Sequence, residues 1–195
     1  MLRVSRPYYA GDPIYTTTYR YDLLNRVITE TNDALNKTSY VDYYRLTTTI
    51  TNVLGQKRTT LNNSQGQLLS VTDARNNVMR YSYDPFGNLS RTLDPLNNTI
   101  TLSYDLRGRK TAMNDPDMGV WSYTYNAVSE LKTQTDAKLQ IASYSYDQLG
   151  RIKTRSEADL NTTWNYDTFS TTNKGIGKLS STTTDKNIIR VRPYI

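Results

Sequence analysis

The sequence predicts an all-β fold, a repetitive antiparallel meander of β-hairpins forming a curved sheet. Three observations predict it. The chain of 195 residues holds 29 Thr and 17 Tyr, residues that favour strands, and 17 Asn, which favours turns. A pattern of a tyrosine followed by an aspartate and a glycine returns about every 21 residues. Before each of these turns, large and small side chains alternate with period two.

The repeat is anchored at Tyr21, Tyr40, Asn62, Tyr83, Tyr104, Tyr125, Tyr146 and Tyr166. Its clearest copies are Tyr83-Asp84-Pro85-Phe86-Gly87, Tyr104-Asp105-Leu106-Arg107-Gly108 and Tyr146-Asp147-Gln148-Leu149-Gly150, with Tyr21-Asp22 and Tyr166-Asp167 as partial copies. The whole span 1–195 therefore reads as a single array of eight units, with an atypical tail over residues 180–195. A second row of polar residues runs in phase: Asp33, Asn52, Asp73, Asp94, Asp115, Asp136 and Glu157. Each unit thus holds two turns, and the segments between them suit strands rather than helices, giving roughly 14–16 strands in all.

The strand entering each Tyr-Asp turn is the best defined. Ile100, Leu102 and Tyr104 share one face; so do Trp121, Tyr123 and Tyr125, Met79, Tyr81 and Tyr83, Tyr144 and Tyr146, and Trp164 and Tyr166. The opposite face is rich in Ser and Thr. The aspartate after each tyrosine accepts bonds from backbone N–H groups further along its turn. Gly66, Gly87, Gly108 and Gly150 hold one repeat position, which predicts a backbone with φ > 0. Asn25 suits that conformation, whereas Tyr44 and Ser129 predict altered or strained turns.

Composition excludes much chemistry. Cysteine and histidine are both absent, which removes disulfides, thiol nucleophiles, the commonest general base and the commonest metal ligands. No run of apolar residues is long enough for a membrane-spanning helix, and the first residues carry no apolar signal segment. Equivalent aspartates of successive units lie two strands apart, about 9.6 Å, too far for one cation to bridge, so they read as turn caps. Asp-Pro pairs at Asp12, Asp84, Asp94 and Asp115 read as turns. The net charge of +6 permits nucleic-acid binding. Acids are mixed throughout, however, and the basic residues after the turns read as a solvated face. The tyrosine and tryptophan pairs read as core packing. Sequons at Asn36, Asn62, Asn88, Asn97 and Asn161 matter only where secreted proteins are glycosylated.

The spacing and the motif Tyr-Asp-x-x-Gly-Arg resemble the RHS/YD-repeat family, which includes bacterial Rhs polymorphic toxins, Tc-toxin shell components and teneurins. The resemblance implies a segment of an Rhs/YD-type shell, built from a long sheet that encloses a C-terminal toxin polypeptide. It implies no catalytic residue, cofactor or metal. Tyr21, Asp22, Tyr83, Asp84, Gly87, Tyr104, Asp105, Gly108, Tyr125, Tyr146, Asp147, Gly150, Tyr166 and Asp167 are then structural repeat positions. The implied partners are further repeats and the enclosed toxin, with neither nucleic acid nor membrane insertion, and the parent proteins are secreted or cell-surface. Such shells have many more repeats, so the resemblance also implies that the chain is a fragment of one. A carbohydrate-binding or adhesive repeat module, which would take glycans, is the alternative reading. A basic nucleic-acid-binding β-repeat is the second.

Overall fold

Short Thr- and Tyr-rich segments punctuated by Asp, Asn and Gly become strands closed by turns, and no helix interrupts them among the described residues. The structure is a computed structural model that describes residues 1–11, 13–167, 169–170, 173–174, 176–185 and 188–190. The strands are β1 (Leu2–Ser5), β2 (Thr16–Tyr21), β3 (Val27–Asn32), β4 (Lys37–Tyr44), β5 (Thr47–Thr51), β6 (Lys57–Asn62), β7 (Leu68–Thr72), β8 (Val78–Tyr83), β9 (Leu89–Leu93), β10 (Thr99–Tyr104), β11 (Lys110–Asp115), β12 (Gly119–Tyr125), β13 (Leu131–Thr135), β14 (Ile141–Tyr146), β15 (Ile152–Ser156), β16 (Asn161–Tyr166), β17 (Phe169–Ser170), β18 (Asn173–Lys174), β19 (Leu179–Thr184) and β20 (Ile188–Arg190). They exceed the expected number because β1, the β17–β18 pair and β20 lie outside the recognised repeats.

The chain divides into two compact units. The first comprises residues 1–83 and 91–99, and in it β1 to β8 pair antiparallel in consecutive order. The second comprises residues 84–90 and 100–195, where β10 to β16 do the same, β16 pairs with β19, and β19 pairs with β20. Residues 180–184, expected in the tail, form the body of β19 and pair with β16 as an ordinary repeat strand. Residues 191–195 of that tail and Asp12 lie outside the described residues.

Period-two alternation appears in the burial of the strands: β12 and the last five residues of β10 alternate between half-buried and exposed, with the aromatic residues on the covered side. Covered is a relative term. Among the described residues only Ala142 and Thr18 are buried, and no side chain is fully enclosed. The expected aromatic core is therefore a half-exposed aromatic face, because a single layer of sheet has nothing of its own to lay over it.

Candidate functional site

The repeated feature of this molecule is a five-residue turn. In Asp105–Arg109 the Asp105 N–H donates to the Arg109 carbonyl at 3.0 Å, and the Gly108 N–H donates to the Asp105 carbonyl at 2.9 Å. Asp105 Oδ1 accepts from the Arg107 and Arg109 N–H groups at 2.9 and 3.0 Å. Gly108 sits at φ +74°, as its repeat position predicts. The same geometry recurs at Asp22, Asp84 and Asp147, which are expected repeat positions, and at Asn63 and Asn126. The second row follows the same plan at Asn52, Asp73, Asp94 and Asp136, with Asn76, Asn97 and Leu139 supplying the left-handed residue in the last three. Ser129 is strained as expected, at φ 72°. Asp115 caps a shorter turn through Asp117 and Met118. Asp33 departs from the pattern and accepts bonds from Arg3, Thr16 and Thr18.

In nine of these turns the first and fifth residues are also chemically matched. An aspartate, which can only accept, faces a donor: Asp22 with Arg26, Asp73 with Asn77, Asp84 with Asn88, Asp94 with Asn98, Asp105 with Arg109, and Asp147 with Arg151. An asparagine donates its Nδ2 and faces an acceptor: Asn52 with Gln56, Asn63 with Gln67, and Asn126 with Glu130. Glu130, which breaks the run of arginines, is thus the residue that Asn126 requires. These bonds hold the carboxyls below their ordinary range. At Asp73, Asp84 and Asp94 the main cause is the side-chain amide at the fifth position. At Asp105 and Asp147 partial burial pushes upward, but the N–H and guanidinium of the fifth residue outweigh it.

The expectation of a solvated basic face holds for Arg45, Lys57, Arg58, Arg91 and Lys153, which are exposed, but Arg109 and Arg151 are half-buried and tied into the turns. Arg109 pairs with Asp105 at 2.7 Å, donates to the Asn126 carbonyl at 3.1 Å, and lies 4.8 Å from the Tyr125 ring centre. Arg151 bridges Asp147 and Asp167 at 2.6 Å each and lies 4.3 Å from the Tyr166 ring. Arg26 lies 4.2 Å from Tyr43 in the same way. That contact relocates one anchor. Tyr40 stands inside β4 opposite Thr51, and the turn of its unit falls at Arg45 and Leu46, between Tyr44 and Thr47, so Tyr43 takes the role expected of Tyr40. Tyr44 thus ends a two-residue hairpin with Arg45 at φ 53°, the altered turn its side chain predicts.

A β-bulge adjoins the long turns at Tyr21, Asn62, Tyr104, Tyr125, Tyr146 and Tyr166. Tyrosine hydroxyls also reach the neighbouring strand. Tyr83 donates to the Leu68 carbonyl at 3.0 Å, Tyr125 to Lys110 at 2.8 Å, and Tyr146 to Leu131 at 3.0 Å. Each bond ties a new hairpin to the one before it. Burial, followed by the nearby Glu130 carboxylate, raises the Tyr146 phenol above its ordinary range; burial and Asp84 do the same for Tyr104. Sequence reasoning missed both the hydroxyl bonds and the matched pairs. The pairs were visible, since the fifth residue changes with the first from repeat to repeat. Asp, Asn, Arg and Tyr side chains that satisfy one another within a turn build a scaffold. Among the described residues no cluster of three or more acidic side chains is placed to hold a metal ion.

Residues 63–99 match the RHS Repeat family. This stretch carries an RHS repeat. The turns, bulges and tyrosine bonds described above extend the repeat geometry on both sides of it. A search of curated proteins finds no match. Among solved structures the chain resembles TcdB2-TccC3-TEV, with a TM-score of 0.76 at 15% identity over 92% of this chain and 11% of that one. It resembles TcdB2-TccC3, with a TM-score of 0.75 at 15% identity over 86% of this chain and 10% of that one. It also resembles the Photorhabdus luminescens Tc holotoxin pore, with a TM-score of 0.73 at 14% identity over 92% of this chain and 11% of that one. The chain thus spans about a tenth of the length of the solved chains it matches, and shares their all-β repeat fold.

Proposed function

We propose that this RHS-repeat chain is a structural, non-catalytic segment of an Rhs/Tc-type shell that encloses a toxin polypeptide. The observation that carries the reading is the fold match across 92% of the chain to a small part of a much larger toxin component. The half-exposed aromatic face supports it, because such a face gains from being covered by further protein. The wall would act by confinement, separating the cargo from its targets until release. Its partners would be further repeats and the enclosed polypeptide, in a secreted or cell-surface parent. Arg109 and Arg151, with Tyr125 and Tyr166, are committed to carboxylates and to each other rather than held out for a polyanion, which favours the shell over a nucleic-acid-binding repeat.

The test is limited proteolysis of the complete product of the gene that encodes this chain. A downstream polypeptide should resist protease in the native protein and become sensitive once the repeats are unfolded. Digestion of that polypeptide at equal rates in both states, or the lack of any such polypeptide, would overturn the proposal.

A further inference from the structure

The second unit contains a hollow of about 670 Å³ on its aromatic face, within the range of small-molecule sites. A small residue forms its floor. Four positions before the anchor tyrosine, the preceding repeats carry Ile100 and Trp121, whereas the repeat ending at Tyr146 carries Ala142. The register puts Tyr123 opposite Gln134 and Gln134 opposite Ala142, and then Tyr144 opposite Arg155, so these side chains share the face of Trp121. Ala142, only 6% exposed, lies low between Trp121 on one side and Arg155 on the other.

The walls are chemically specific. Trp121 is pinned by its indole N–H, which donates to the Met118 carbonyl at 3.0 Å, and presents a flat apolar surface. Arg155 gives one terminal nitrogen to Glu157 at 2.6 Å, but its Nε is buried without a hydrogen-bond partner among the described residues. That nitrogen is closed to a ligand, but the Arg155 side chain as a whole remains 42% exposed, so the outer edge of its guanidinium is free to meet an incoming oxygen. Asp136, Glu157 and Asp159 add acceptors for hydroxyl groups. Three carboxylates against one guanidinium disfavour phosphate, sulfate or any anionic chain.

We propose that this hollow is a binding site for an uncharged saccharide: a pyranose ring stacks on Trp121, one ring oxygen or hydroxyl oxygen accepts from the exposed edge of the Arg155 guanidinium, and other hydroxyls donate to the carboxylates. The site stands on its own lining, independently of the shell reading, and a repeat can carry it whether or not it encloses a cargo.

Ligand-observed saturation-transfer NMR on the full chain tests it with cellobiose, chitobiose and lactose, and with a sulfated heparin disaccharide as the anionic probe. At least one neutral disaccharide should receive saturation, and the heparin disaccharide should not. Ala142→Leu raises a bulky side chain from the floor between Trp121 and Arg155 and should weaken binding at least about tenfold. Arg155→Gln, which removes the guanidinium, should weaken it similarly should the leucine variant fail to fold. Trp164→Phe, outside the hollow, should leave binding intact. No transfer to any neutral sugar, transfer undiminished in both hollow variants, or transfer to the heparin disaccharide alone would each overturn the assignment.

Discussion

At the scale of single residues, the turns show where the backbone asks more than the side chain allows. Leu139 sits at φ 62° with its side chain 81% exposed, so it carries the cost of a left-handed backbone and gains little from packing. Leu139→Gly should therefore raise stability by about 1 kcal/mol in urea denaturation, and a loss would show that this turn differs from its neighbours. Gly119 and Gly55 have nearly the same φ, +74° and +76°. A Cβ on Gly119 would meet the Ala137 Cβ at 2.5 Å, whereas one on Gly55 meets nothing within 4 Å. Gly119→Ala should then cost at least about 1 kcal/mol more than Gly55→Ala, since backbone strain is common to both and only the overlap differs. Equal losses in the two variants would show that Ala137 moves aside freely.

At the scale of the element, a matched first and fifth residue makes a turn a small electrostatic unit. Asn126→Asp beside Glu130 sets two carboxylates together and should destabilise the hairpin. Adding Glu130→Arg restores the Asp/Arg pairing of Asp105 and Arg109. A double-mutant cycle should give a favourable coupling of about 1 kcal/mol, reduced from larger values by solvent; zero coupling would mean that the pairs only accompany the turn. The same turns set the acid limit of the protein. Asp22, Asp73, Asp84, Asp94, Asp105, Asp147 and Asp167 all have carboxyls held below the ordinary value. A lowered folded-state pKa contributes stability that is complete above the unfolded value, near about 4, and is lost as pH falls through the folded value. Urea midpoints should therefore show no loss from these groups between neutrality and about pH 5, and should decline below about pH 4. A curve unchanged down to about pH 2 would contradict the turn bonds.

At the scale of the whole molecule, the half-covered aromatic face and the strand edges dominate. All four residues of β1 are exposed, Leu2 and Val4 among them, and β1 pairs with β2 alone among the described strands. Such an edge is a template for another strand. The turn tips add exposed apolar groups, including Phe86, Leu106 and Leu149. The isolated chain should self-associate at micromolar concentration in light scattering. A stable monomer with a cooperative thermal transition would instead favour an autonomous module over a shell segment.

Repeat length, strand alternation and the left-handed position of Gly108 could be read directly from the residues, because each depends on interactions within a few positions along the chain. The order of the ladder largely followed from them, since short turns leave consecutive strands little choice of partner. Tyr40 was misplaced as an anchor because a two-residue hairpin replaces the long turn there, and motif spacing alone cannot distinguish the two. The reach of Tyr146 to Leu131, the seat of Arg151 between Asp147 and Asp167, and the hollow above Ala142 join residues 15 or more positions apart or depend on neighbouring strands. Only strand pairing and its bulges bring those groups together, so the tertiary structure decided them.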